Sequence, residues 1–265
     1  MKTLHSISSI NHCYQTYGSR PVRVLCSDLE DYVCKYYTGG NGIAYNLFNE
    51  YLAASFLKIW KLPVPDFSVV TIAKKHMEGL GFPYRYFEVP CFGSKYLGNC
   101  KEVDKVFIGL PKNRFKNPES AMEYMMIALF DIWLCNEDRN HNNYNLLYDS
   151  VTNHFIPIDH VNIFNGLNID KQPYLISENE SILSSPLFPI YFYGTLQLIT
   201  KDFRFKFKKI FNSHINICNE SLNQILSDLP IQWQLDLPLI KEKVAFFFSE
   251  EWITDRYASG HLHIA

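Results

Sequence analysis

The sequence predicts an α+β chain of two lobes, a small β-rich amino-terminal lobe with one main helix and a mostly helical carboxy-terminal lobe. Three observations lead there. Short runs of β-branched and aromatic residues fill the first third, while long apolar runs at helical spacing dominate after Asn117. Strands grouped first and helices second is the order expected of an α+β domain. The 265 residues are 47% hydrophobic, enough to bury one substantial core or two lobes. The lobes are expected at 1–110 and 111–265 of one domain, with the boundary between Phe92 and Asn117.

RPVRVLC (20–26) and YVCKYY (32–37) flank the polar turn SDLED and read as a hairpin, with INHCYQTYGS ahead of them as a further strand ending at Gly18. The breaker cluster TGGNG (38–42) follows. Beyond it, Leu47, Phe48, Leu52, Phe56, Leu57 and Trp60 recur at helical spacing, predicting a helix of about five turns that stops before Pro63-Val64-Pro65. DFSVVTIA and PYRYFEVPCF read as two more strands. Asn117-Pro118-Glu119 is a helix start, with proline where its missing N–H is harmless. The helix SAMEYMMIALFDIWLC is apolar on almost every face and therefore belongs in a core. FIPIDHVNIF is strand-like with one acid, and helical sequence is expected from about residue 180 to 253.

Composition excludes several classes. Lys and Arg number 25 against 27 Asp and Glu, a formal charge of -2, so there is no basic field for direct nucleic-acid or anionic-lipid binding. The seven cysteines are scattered and never form Cys-x-x-Cys, which points to neither zinc nor a disulfide framework and fits the cytoplasm. No apolar run approaches the roughly 20 residues that span a bilayer, so no membrane association is expected.

The chemistry concentrates in NEDRNHNNYNLLYD, residues 136–149, five of whose fourteen residues are asparagine. Asparagine suits turns, and a polar loop alone needs no further explanation. Three pieces change that reading when taken together. Lys35 lies within a strand, and Glu50 is the only acid between Asp31 and Asp66; such a pair can hold a cationic nitrogen against nucleotide phosphates. Asp138 and Asn143 stand five positions apart after a buried helix, the spacing of a base for an attacking hydroxyl and a neutral oxygen ligand for Mg2+. Asp159 offers a second hard ligand. Arg139 is suited to bracing the loop or to neutralising charge nearby. Asn136, Asn140 and Asn142 read as turn formers.

DIWLCNEDRNHNNYNLLYD followed by FIPIDHVNIF resembles the catalytic and metal-binding loops of the HipA-like kinases, especially the shorter HipA-like domain proteins. YVCKYYTGG, LFNEYLAASFLKIWKLPVPDFSVV and CFGSKYL are similar to that family's nucleotide lobe, and WQLDLPLIKEKVAFFFSEEW to its closing helix. The resemblance runs from about residue 18 to 165. It implies a protein-kinase-like fold shared distantly with phosphatidylinositol kinases, and ATP-dependent phosphorylation of a protein Ser/Thr hydroxyl. On this chain it implies that Lys35 binds phosphate and Glu50 partners it, that Asp138 is the catalytic base, and that Asn143 and Asp159 hold Mg2+ and, through it, the nucleotide. Asn145 is a further candidate ligand. The family also implies a translation-related protein substrate and an antitoxin partner.

Two departures stand out. His160 follows Ile158-Asp159 where most protein kinases carry Phe-Gly after the aspartate, and no G-x-G-x-x-G precedes Lys35. The phosphate-covering role therefore falls to Tyr17-Gly18-Ser19-Arg20, through backbone amides or Ser19. Two other readings compete: a catalytically inactive kinase-like module that binds nucleotide or a partner, and a metallohydrolase using His141, His154 and His160 beside Asp138 and Asp159.

Overall fold

The computed structural model describes residues 3–16, 20–38, 43–79, 81, 83–104, 118–166, 173–189 and 201–259. Two compact units emerge. The first comprises 1–55, 65–98 and 224–237, and the second 56–64, 99–223 and 238–265.

The first unit is built on a six-stranded sheet of β1 (Thr3–His5), β2 (His12–Cys13), β3 (Val22–Leu25), β4 (Asp31–Lys35), β5 (Phe67–Thr71) and β6 (Cys91–Lys95), in the spatial order β1-β5-β6-β4-β3-β2. The expected hairpin is β3 and β4, antiparallel with Val22 opposite Cys34 and Leu25 opposite Asp31. Its alternation is visible in burial: Val22, Val24, Tyr32 and Cys34 face the core with Leu4, Val70 and Cys91. Among the described strands only β1 is parallel to its neighbour, pairing Thr3 with Val69 and Leu4 with Val70. At Gly93 on β6, an added Cβ would stand 2.6 Å from a Val70 methyl, so glycine is what lets the two strands pack there.

Helix α1 (Tyr45–Ile59) is about four turns, shorter than the five expected, because Trp60 leaves the helix and Lys61 turns left-handed at φ 58°. PYRYFEVPCF is not one strand. Pro83 introduces a 3-10 turn at Tyr84–Phe87, and only the residues after Pro90 join the sheet as β6.

The second unit centres on α2 (Pro118–Leu134), whose Tyr124, Ile127, Phe130, Trp133 and Leu134 are all buried. Apolarity on almost every face is thus accounted for by core position. The helix ends with Cys135 left-handed at φ 53°, the Asn136 amide donating to Asp131 O at 2.9 Å and the Cys135 amide to Ile132 O. That is a Schellman cap with cysteine where glycine is usual. A three-stranded antiparallel sheet of β7 (Cys100–Glu102), β8 (Leu146–Asp149) and β9 (His154–Pro157) follows the order β7-β8-β9. Helices α3 (Lys201–Ser227), α4 (Leu237–Phe246) and α5 (Glu250–Ser259) make up most of the helical remainder. The closing helix is therefore two helices. Its aromatics lock onto α2: the Trp133 indole donates to Phe247 O at 2.8 Å and the Trp252 indole to Trp133 O at 3.1 Å. Trp60 stacks on Trp133 with ring centroids 5.5 Å apart. No helix among the described residues is long and apolar enough to cross a membrane.

Candidate functional site

In the first unit, Lys35 ends β4 opposite Phe92 of β6, and Glu50 lies in the second turn of α1. Their side chains meet, Nζ donating to Oε1 at 2.6 Å. Both are buried, Glu50 at 3% exposure. A strand lysine usually extends to water; here it is withdrawn, and a buried charge of this kind persists only when paired. One turn earlier in α1, the Asn46 amide donates to Tyr36 O at 3.1 Å, fastening the helix start to the strand end beside the lysine. Asn46 was not among the expected site residues. Gly18 and Ser19 lie outside the described residues.

In the second unit the loop after α2 folds around one guanidinium. Arg139 is wholly buried, and its fork reaches three places at once: Nη1 to the Asp131 carboxylate, Nη2 to Ile158 O at 2.7 Å and Nε to Asn145 O at 3.3 Å. Asp131, on the last turn of α2, has no solvent exposure and also accepts from the Asn136 amide at 2.9 Å. Burial pushes its carboxyl above the ordinary value, and the adjacent guanidinium opposes that rise. Asn136 is thus a buried partner of Asp131 and not merely a turn former. Asn140 and Asn142 do form the turn: the Asn140 side chain accepts from the Asn142 amide at 2.9 Å and donates to Glu137 O at 3.0 Å.

With the loop pinned, Asp138 is left half-exposed and held by two amides. Asn143 Nδ2 donates to Oδ1 at 3.0 Å and Asn145 Nδ2 to Oδ2 at 3.1 Å. A carboxylate only accepts, so each amide must turn its nitrogen to Asp138, which leaves both amide carbonyl oxygens available as ligands. The Ile158 amide donates to Asn145 O at 2.9 Å, continuing the β8–β9 ladder in which Leu146 opposes Pro157. The hairpin thereby brings Asp159, the next residue, to the same end as Asn143 and Asn145. Asp159 and Asn145 have φ of 58° and 44°, a left-handed conformation that aspartate and asparagine tolerate better than most residues. The segment beyond returns to the end of α2, with the Phe164 amide on Leu134 O at 2.6 Å and the Asn165 amide on Cys135 O at 3.0 Å. Glu137, next to Asp138, is raised by burial, Asp138 and Glu180, and accepts from the Tyr174 hydroxyl.

Lys35 with Glu50, and Asp138 with Asn143, Asn145 and Asp159, are therefore two local groupings, one in each unit. Their oxygen donors suit a hard cation such as Mg2+. A zinc site needs three or four converging nitrogen, sulfur or carboxylate donors, and the described residues hold no such group of His, Cys, Asp and Glu.

A family model described as HipA-like kinase matches residues 7–174, the stretch that carries both groupings. The chain belongs to the HipA-like kinase family. Among solved structures, this HipA-like kinase is similar to the Helicobacter pylori proinflammatory kinase CtkA, with 14% identity, a TM-score of 0.54, and coverage of 97% of this chain and 95% of that one. At that identity the likeness is one of fold, and it agrees with the α+β, protein-kinase-like architecture. The open conformation of CtTel1 is a slighter match, 9% identical with a TM-score of 0.34, and the chain spans 11% of its length. No curated protein matches the chain.

Asp131, Asn136 and Asn46 were not recognised as parts of the site from sequence. Asp131 carried one signal, the only acid in the apolar run Tyr124–Cys135, eight residues before an arginine. An acid at such a position needs a buried cation.

Proposed function

We propose that this HipA-like kinase transfers the γ-phosphate of ATP to a Ser or Thr hydroxyl of a protein, in the cytoplasm, as the toxin partner of an antitoxin protein. The reading rests chiefly on Asp138, a half-exposed carboxylate oriented by two asparagine amides on a loop anchored by a buried arginine. Asp138 takes the proton of the acceptor hydroxyl as its oxygen bonds to the γ-phosphorus and the bond from that phosphorus to the β–γ bridging oxygen breaks, releasing ADP. Lys35, held by Glu50, balances charge on the α and β phosphates. Asn143 and Asp159, with Asn145 beside them, hold Mg2+, which when bound offsets the negative charge of the phosphates. Gly18 and Ser19 cover the phosphates.

Radiolabel transfer from ATP, measured beside thermal stabilisation by Mg-ATP, tests the reading. Asp138→Ala is expected to lower transfer by about 10²–10⁴-fold, the contribution typical of a general base, with Mg-ATP stabilisation retained. Asp159→Ala should lose both. Transfer at the wild-type rate in both variants would refute the assignment. Wild-type stabilisation by Mg-ATP without transfer to any protein would mark a nucleotide-binding module, and stabilisation by zinc alone a hydrolase.

A further inference from the structure

Trp233 lies far along the chain, in a 3-10 turn (Ile231–Trp233) that follows α3, yet it is packed inside the first unit with no solvent exposure. It touches the helix that carries Glu50 and the residue ahead of β6, the strand paired with the one that carries Lys35. Its indole N–H donates to Pro90 O at 2.8 Å, immediately before β6, the strand whose Phe92 sits opposite Lys35. Its backbone oxygen accepts from the Ala44 amide at 3.1 Å, just ahead of α1. That amide has no partner within the helix and must find one elsewhere. The ring also meets Tyr51, next to Glu50, edge-to-face with centroids 6.3 Å apart, and Tyr51 packs in turn on Phe67 of β5 at 5.5 Å. A single residue therefore bridges the sheet and the start of α1.

We propose that Trp233 is a positioning residue which fixes the separation of α1 from the sheet and so sets the Lys35–Glu50 pair. The lysine stands on β4 and the glutamate on α1, and only Asn46 among the other side chains described above ties the first turn of α1 to the strand end. Trp233 adds a fastening at three points: the helix start, the residue beside Glu50, and the backbone just before the interior strand β6. Its turn is closed by Trp233 N–H on Pro230 O at 3.0 Å and by Gln234 in the left-handed region at φ 52°, so the indole is presented by a fixed backbone. The placement of α1 stands on the contacts themselves; the effect on catalysis rests on the kinase reading above.

Two measurements separate these parts. Amide hydrogen exchange in the full chain is expected to accelerate over Ala44–Tyr51 in Trp233→Ala, and less in Trp233→Phe, which keeps the ring and loses the N–H, while the core of α2 is unchanged. Unchanged exchange at Ala44–Tyr51 in Trp233→Ala would overturn the placement whether or not the protein transfers phosphate. In steady-state phosphorylation, Trp233→Ala should lose about 10²-fold in kcat/KM for ATP, the scale of a displacement of roughly 1 Å. Combined with Glu50→Gln, it should add little to the loss that Glu50→Gln causes alone, because both act on one pair; combined with Asn143→Ala, the losses should multiply. Multiplying losses in the Glu50→Gln background would overturn the route through the pair. A wild-type chain that transfers no phosphate would refute the kinase reading and leave the exchange result to decide the placement.

Discussion

Replacing Arg139 by methionine removes a cation from a site with no solvent exposure. Asp131 would keep the Asn136 amide but lose its counter-charge, and Ile158 O would lose its Nη2 donor. Asn145 O retains the Ile158 amide, so that bond counts little. Stranding one partner of a buried ion pair costs about 3–5 kcal/mol. An orphaned carbonyl adds about 1–3 kcal/mol. A loss near 5 kcal/mol is thus expected in urea unfolding followed by circular dichroism, a large part of the roughly 5–15 kcal/mol that holds a domain together. The double variant Asp131→Leu/Arg139→Met, which removes both charges, should recover at least half of it. The pH dependence has a definite sign. Burial already raises the Asp131 carboxyl, and without the guanidinium it rises further, so the folded variant holds a proton that the unfolded chain releases. Stability then falls as pH rises through the folded value, and the deficit against wild type should narrow between pH 7 and pH 5. A loss below about 1 kcal/mol, on the scale of an exposed pair, or a double variant no better than the single one, would refute the buried-pair account.

Two more predictions concern the framework. Gly93→Ala places a methyl 2.6 Å from Val70 and 3.4 Å from Cys34 Sγ, and should destabilise the protein by about 1–3 kcal/mol in the same assay; a neutral result would show that β5 and β6 separate freely. His214 on α3 packs against Trp60 with ring centroids 5.7 Å apart, and burial, with Lys61 nearby, lowers its pKa below the ordinary value. The unfolded chain therefore takes up the proton first, so this contribution to stability is complete above the unfolded pKa and is lost as pH falls through the folded one. His214→Gln should flatten the decline in urea midpoint below about pH 6.5; an unchanged slope would exclude His214 as its source.

The elements readable from sequence were those whose burial pattern is local. The hairpin β3–β4 shows alternate residues inward, and α2 is apolar on almost every face because most of it lies in core. Strands β1 and β7, each three residues long, escaped because three residues carry almost no periodicity and each is specified by a partner distant in the chain, β5 for one and β8 for the other. The PYRYFEVPCF segment misled for a different reason. Its aromatic residues have strand propensity, but Pro83 and Pro90 bracket a turn, and backbone restriction overrides side-chain preference there.

For the candidate site, the residues that would face substrate were legible because their chemistry is unusual in place: a lysine in a strand, and an aspartate five before an asparagine after an apolar helix. Of the residues that hold them, Arg139 was expected to brace the loop, but Asp131 and Trp233 were not seen. Asp131 reads as an interruption of a helix until Arg139 is seen across the loop, and Trp233 reads as an ordinary aromatic until its indole is found on Pro90. Both act through buried polar contacts, where a bond to a carbonyl or carboxylate leaves no periodic trace in the sequence. Such a contact is also where the energy is concentrated, since a buried donor or acceptor without its partner costs more than a typical paired one contributes. The groups easiest to recognise in this chain are therefore those with a chemical task, such as Asp138 and Lys35, and the groups whose loss should do most damage to the fold are those that anchor them.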